Sequence, residues 1–257
     1  MSPSTWNPEQ YARFRDERSR PYYDLLDLVQ PRPTMRVVDL GCGTGELTRV
    51  LHERLQARET IGIDNSETML AKSGSYAGNG LRFEKGDIGQ FQPDREYDLI
   101  FSNAALHWLP DHEALLARLT SGLTPGGQLA FQVPANDDHP THVVAAALAR
   151  ESPFREAMGG YDRRWPNLTP VGYAQLLDRL GYRDPIVRLQ VYVHHLPSRD
   201  DVVEWVKGSL LTDYEQRLSP ELFQQYLSRY RERLLPQLDE SQPYFYPFKR
   251  ILCWGKL

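Results

Sequence analysis

Apolar residues in this chain gather into short β-branched runs, and between these runs they recur every three or four positions. MRVVDLG, residues 35–41, is the first such run; Pro33 precedes it and Gly41, Gly43 and Gly45 close it. From Glu46 to Arg58, Leu47, Val50, Leu51 and Leu55 share one face at helical spacing. Further strands are predicted at ETIGID, ending on Asp64, at LRFEKGD, ending on Asp87, at YDLIFSN, ending on Asn103, and at QLAFQV, residues 128–133. Ser66 is placed to cap a helix that buries Met69 and Leu70. Asp111 is placed to cap a helix over 112–123 that turns Leu115, Leu116 and Leu119 inward, and TPGG after it reads as a turn. Strands alternating with helices at these lengths predict βαβ units and a doubly wound, mostly parallel α/β sheet.

The pattern changes after Pro134. A polar loop and a helix near 142–151 come first, then a helix over 171–182 and a strand over 185–197. Two amphipathic helices follow, one lined by Val202, Val203, Val206 and Leu210, the other by Leu222, Phe223, Tyr226, Leu227 and Tyr230. FKRILCWGKL reads as a last strand. This predicts a core over 31–135 and a remainder, 136–257, that completes the sheet and carries helical cap insertions at about 136–165 and 200–240.

Composition narrows the function classes. The net charge of -4, from 30 basic and 34 acidic side chains, argues against a general nucleic-acid binder. Cys42 and Cys253 lie far apart and neither belongs to a CxxC pair, which argues against a disulfide framework or a thiolate zinc site. The first residues are polar, and no apolar run approaches the roughly 20 residues of a membrane helix, so the expected location is cytoplasmic, with no membrane partner.

The stretch VVDLGCGTG, residues 37–45, carries the candidate chemistry. Its glycines allow a sharp strand-to-helix turn and let a ligand approach main-chain N–H groups. Asp64 ends the second strand, where a carboxylate can accept both hydroxyls of a ribose, and Asp87 ends the third, in reach of a nucleobase edge. A dinucleotide site would show G-x-G-x-x-G, but here the third glycine comes one position early. Asp39 suits a cation better than a pyrophosphate. A glycine-rich turn without ligand is the plain alternative. His107, just past the fourth strand, is the candidate general base, with packing as its alternative; Trp108 is a candidate wall for an acceptor. Arg188 and Tyr192 on the late strand are candidates to face the acceptor. His139, His142, His194 and His195 lack the companion carboxylates or thiolates of a metal site, so no metal is expected. The arginines at 13, 15, 18 and 20 read as a solvated charge run.

VVDLGCGTG, IGIDNSETML, FEKGDI and DLIFSNAALHWLPDH resemble the ordered motifs of class I S-adenosylmethionine (SAM)-dependent methyltransferases, over about residues 35–135. WNPEQYARFRDERSRP, NAALHWLPDH, and LPS at 196–198 followed by VVEWV are similar, more narrowly, to the trans-aconitate methyltransferases. The resemblance implies a Rossmann-like fold, SAM as cofactor, S-adenosylhomocysteine as product, and a small-molecule acceptor, with a carboxylate of a small polycarboxylic acid foremost. It implies that Gly41, Gly43, Asn103 and Ala104 approach the methionine part of SAM, that Asp64 holds the ribose, and that Asn65, Met69, Asp87 and Ile88 surround the adenine. It also implies that residues 1–30 form a helical lid bringing Trp6, Tyr11 and Arg20 to the cofactor. One position departs from the family: Thr212 stands where an arginine is expected, which puts the tricarboxylate acceptor in question. Carbon, nitrogen or hydroxyl methylation, an NAD(P)-dependent oxidoreductase and a non-catalytic SAM-binding module stay open as alternatives, and the oligomeric state is unassigned.

Overall fold

The short apolar runs form strands and the spaced ones form helices. The structure, a computed structural model, describes residues 15–94, 96–163 and 165–257. In chain order the elements are α1 (Arg15–Leu26), β1 (Arg36–Leu40), α2 (Glu46–Leu55), β2 (Glu59–Asp64), α3 (Glu67–Ser73), β3 (Leu81–Lys85), β4 (Tyr97–Asn103), α4 (His112–Thr120), β5 (Leu123–Pro134), α5 (Pro140–Ala149), α6 (Phe154–Ala157), α7 (Pro170–Arg179), β6 (Arg183–Leu196), α8 (Asp200–Lys207), α9 (Thr212–Glu215), α10 (Pro220–Leu234) and β7 (Tyr244–Lys256). The strand order is β3-β2-β1-β4-β5-β7-β6. β1 to β5 pair in parallel, and β7 runs antiparallel to β5. Strand order therefore reverses between β1 and β4, the place where open parallel sheets bind ligands.

The chain packs as two compact units. The sheet unit comprises residues 18–134, 166–190 and 250–257; the other gathers, of the described residues, 15–17, 135–165 and 191–249. In the sheet unit the central strands are covered on both faces, which is why β1 and β4 read as near-continuous apolar runs. Val37, Val38, Leu40, Leu99, Ile100 and Phe101 are fully buried, under Leu51, Leu55, Leu116, Leu119, Tyr173 and Leu177 of the helices. Ser66 and Asp111 cap α3 and α4 as their positions predicted, accepting the N–H groups of Met69 and Ala114. In the second unit α5, α6 and α8 to α10 bury one another's apolar stripes. Tyr226 and Tyr230 of α10 donate their hydroxyls to the carbonyls of Ala145 and Thr141, so each buried phenol is satisfied.

TPGG, expected as a turn, lies within β5. Tyr97 pairs with Leu123 while Leu99 pairs with Gln128, so two residues of β4 span five of β5 and the extra ones bulge out, with Gly126 at φ 73°. A glycine pair that reads as a turn serves equally well as a bulge, where pairing on both sides holds the strand together.

Gln128, directly after this bulge, is fully buried and makes three hydrogen bonds. Its Oε1 accepts from the Gln30 backbone N–H (2.8 Å) and from Trp254 Nε1 (2.9 Å), and its Nε2 donates to the Gln30 carbonyl (2.8 Å). One side chain thus ties the segment before β1 to the last strand. Gln128→Leu keeps the volume but orphans the buried indole N–H, and should destabilise the protein by about 1–3 kcal/mol in urea unfolding. An unchanged midpoint would show that the clamp carries no stability.

Candidate active site

The loop after β1 is held in register by its neighbour. Leu40 lies opposite Ile63, and the N–H groups of Gly41 and Cys42 both donate to the Ile63 carbonyl, at 2.8 and 3.1 Å. Gly41 has φ 84°, and a Cβ there would sit 2.3 Å from the Ala105 Cβ and 3.5 Å from Ile88 Cδ1. The segments leaving β1 and β4 thus meet over a hydrogen atom. Gly43, at φ 58°, faces open space: its missing Cβ would meet only Met69 Cε, at 3.4 Å. Its N–H donates to Asp64 Oδ2 (2.9 Å), and the Ser66 N–H donates to Asp64 Oδ1 (2.9 Å). Two backbone donors therefore fix a half-buried carboxylate at the end of β2 and leave lone pairs on both oxygens.

Gly41, Gly43, Asp64, Met69, Ile88 and Ala105 come together around this loop. Asn65 and Asp87 are exposed beside it; Asp87 accepts the N–H of Gly89 (2.8 Å) and so closes its own turn. Asp39 is not on the rim. It is 2 % exposed beneath the loop, and its Oδ2 accepts from Thr48 Oγ1 (2.6 Å). Burial, reinforced by the nearby Asp64 and opposed by the Thr48 hydroxyl, pushes its carboxyl up to about 7. Burial raises the Cys42 thiol as well, so it is no nucleophile. Ala104 adopts φ 54°, rare for a residue with a side chain, and its N–H donates to the Gln132 carbonyl (3.0 Å). Asn103, which it follows, is half-buried.

His107 and Trp108 sit on a single turn, Leu106–Trp108, with their rings 4.7 Å apart; His107 is half-buried and Trp108 half-exposed. His112 pins that turn. Its Nε2 lies 3.0 Å from the Leu106 carbonyl, so that nitrogen carries the proton, and Nδ1 accepts from the Tyr173 hydroxyl. Burial lowers the His112 pKa and keeps the ring neutral.

Other sequence candidates lie elsewhere. Arg20 and Arg188 line a cavity of about 330 Å³ with Asp24, Asp27, Leu28, Gln190 and Leu252, a set that shares nothing with the loop. Tyr192 belongs to the second unit and is 2 % exposed. Four residues apart on one strand, Arg188 and Tyr192 were expected on one face. The alternation slips by one residue between Val187 and Gln190, so Arg188 is exposed and Tyr192 buried. Trp6 and Tyr11 lie outside the described residues. In the second unit Thr212 is buried, its hydroxyl donating to the Ser209 carbonyl (2.6 Å). Arg163 reaches the same turn: Nη1 donates to the Leu210 carbonyl (3.1 Å), and the guanidinium stacks 4.5 Å over Trp165. Its Nη1 also lies 3.5 Å from Asp213 Oδ2, so this buried cation is ion-paired within the second unit. His139 accepts the Thr141 N–H at the start of α5, and burial, with Arg163 second, holds His142 at about 3 and neutral.

Comparison with known proteins points one way. A family model described as a methyltransferase domain matches residues 37–127. The trans-aconitate 2-methyltransferase of Deinococcus radiodurans is 45% identical over 254 residues, covering 96% of each chain. That of Variovorax paradoxus is 40% identical, covering 98% of this chain and 96% of its own. A solved S-adenosylmethionine-dependent methyltransferase from Mesorhizobium loti matches with a TM-score of 0.50 at 21% identity, over 92% of this chain and 97% of that one, and so shares the fold.

Asp39 makes a prediction about pH. Its carboxyl is raised in the folded state from the ordinary 3.8 to about 7, so the native protein holds this proton more tightly than the unfolded chain does. The resulting stability is complete below the unfolded value and is lost as pH rises through about 7. Asp39→Asn, which keeps an acceptor for Thr48, should flatten the fall in thermal stability between about pH 4 and about pH 7. Parallel profiles for the two proteins would mean that Asp39 titrates normally.

Proposed function

The chain belongs to the trans-aconitate 2-methyltransferase family of SAM-dependent methyltransferases, and from that premise we propose that it methylates one carboxylate of a small polycarboxylic acid, trans-aconitate or a near analogue. The observation that carries this reading is the similarity to those relatives over 96% or more of the chain, through the segments outside the sheet as well as within it.

The residues around the loop fit the cofactor. The opening above Gly43 is the space a Cβ would fill, and the donors and acceptors beside it are those of a cationic nucleoside site rather than a pyrophosphate site. Asp64, already oriented by two N–H groups, would hold the ribose hydroxyls. Met69 and Ile88 would wall the adenine, with Asn65 and Asp87 at its polar edge, and Gly41, Asn103 and Ala104 would follow the amino-acid portion. Asp39, close below, contributes negative charge without contact, and a cation above the loop favours its ionised form. When bound, SAM supplies a methyl group already activated by a positive sulfur.

The protein's task is then to hold the acceptor oxygen in line and to exclude water. A carboxylate is ionised at neutral pH and attacks without losing a proton, so no general base is required. His107, set on a turn that His112 locks, would place the acceptor rather than deprotonate it, with Trp108 beside it.

Incubation with SAM carrying a labelled methyl and trans-aconitate should give a labelled monomethyl ester by mass spectrometry. Single-turnover rates should be flat across about pH 6 to 8, and His107→Asn should cost little and leave that profile unchanged. A loss of about 10²–10⁴-fold together with an abolished pH limb would mean that His107 is a base and that the acceptor is a hydroxyl, amine or carbon.

A further inference from the structure

Gln132 lies opposite Asn103 across the β4–β5 pair and is fully buried. Its Nε2 donates to Asn103 Oδ1 (2.6 Å), and its Oε1 accepts from Arg250 Nη1 (3.1 Å). Arg250 is itself buried, on β7. All three side chains belong to the sheet unit.

A guanidinium has donors only, whereas an amide has an acceptor at one end and donors at the other. Arg250 therefore decides which end of Gln132 faces it, and Gln132 decides which end of Asn103 faces back. The reversed arrangement would set N–H against N–H inside the protein, which a buried site does not tolerate. The polarity imposed on β7 thus passes through two amides and emerges at the end of β4. There the Nδ2 of Asn103 finds no acceptor among the described residues. The Gln132 carbonyl holds the strained Ala104 N–H as well, so one residue grips both the side chain and the backbone of this strand end.

We propose that Arg250 is a positioning residue which, acting through Gln132, makes Asn103 present N–H donors to a carboxylate ligand at the crevice. This rests on the methyl-transfer reading only for which carboxylate is meant, that of the cofactor's amino-acid portion or that of the acceptor. An ammonium, which has donors only, would need the other end of the amide, which the relay turns inward.

Gln132→Glu separates this role from simple packing. The new carboxylate still accepts from Arg250 but now offers an acceptor to Asn103, which must turn over and show Oδ1 to the crevice. Gln132→Met removes both bonds and frees Asn103 to rotate. The expected order is that Gln132→Glu is at least as stable to heat as Gln132→Met, yet binds the carboxylate ligand more weakly, by about ten- to a hundredfold relative to wild type. A purely structural role gives the opposite order, with binding following stability. Asn103→Asp, at a half-buried position that leaves the relay in place, should show the same loss and decides the matter if Gln132→Glu fails to fold. S-adenosylhomocysteine affinity by calorimetry reads the cofactor arm; the KM for trans-aconitate at saturating SAM reads the acceptor arm. Loss in either arm supports the proposal and names the carboxylate. Retention of both in Asn103→Asp, or a Gln132→Glu that binds no worse than Gln132→Met, overturns it. If wild type binds S-adenosylhomocysteine but does not methylate trans-aconitate, the acceptor reading fails and the calorimetric arm still judges the relay. If wild type binds neither, both fail.

Discussion

The site depends on the approach of two backbones at the point where strand order reverses. The chain leaves β1 through Gly41 and leaves β4 through Ala105, and between them there is room for a hydrogen atom but not for a methyl group. Parallel pairing sets the rest. With Leu40 level with Ile63, the Ile63 carbonyl takes the first two N–H groups of the loop, and Asp64 arrives beside the third glycine-loop donor, Gly43. A side chain at Gly41 would push the two strand ends apart and with them the carboxylate, the loop and the turn that bears His107. The crevice is thus a property of sheet topology and one missing Cβ more than of any polar contact.

Much of this was legible in the sequence because it follows from local rules. The limits of β2 and β4 are those of their apolar runs, and the caps at Ser66 and Asp111 follow from residue type and position. What was not legible came from partners distant along the chain. TPGG is indistinguishable from a turn until β4 is seen to pair on both sides of it. The slip in alternation near Arg188 depends on what packs against β6, which periodicity cannot supply. Asp39 reads as a rim carboxylate and proves to be buried, because Thr48 of α2 lies over it.

One missed signal was present. QLAFQV is an apolar run with glutamines at its first and fifth positions, and parallel strands covered on both faces seldom carry such residues without a task. Gln128 and Gln132 lie on one face of β5, and each reaches a polar side chain of β7, Trp254 in one case and Arg250 in the other. Each also ties in a segment of the parallel core, at Gln30 and at Asn103. A polar residue in a strand that should be wholly apolar is thus a marker for a long-range connection, although the sequence does not say to what.

The position of β7 has a consequence for how the protein comes into being. The last strand in sequence does not lie at the edge of the sheet but between β5 and β6. During synthesis β1 to β5 can assemble in order of appearance, each beside strands already made. β6 cannot, because among the described residues its neighbour in the sheet is the thirteen-residue segment Tyr244–Lys256, which leaves the ribosome after it. From the completion of β6 until β7 is inserted, β5 and β6 both present unpaired backbone, and closure of the sheet awaits contacts distant in sequence. The nascent chain therefore passes through an interval with two open strand edges, when chaperone protection matters most and misassembly is most easily reached.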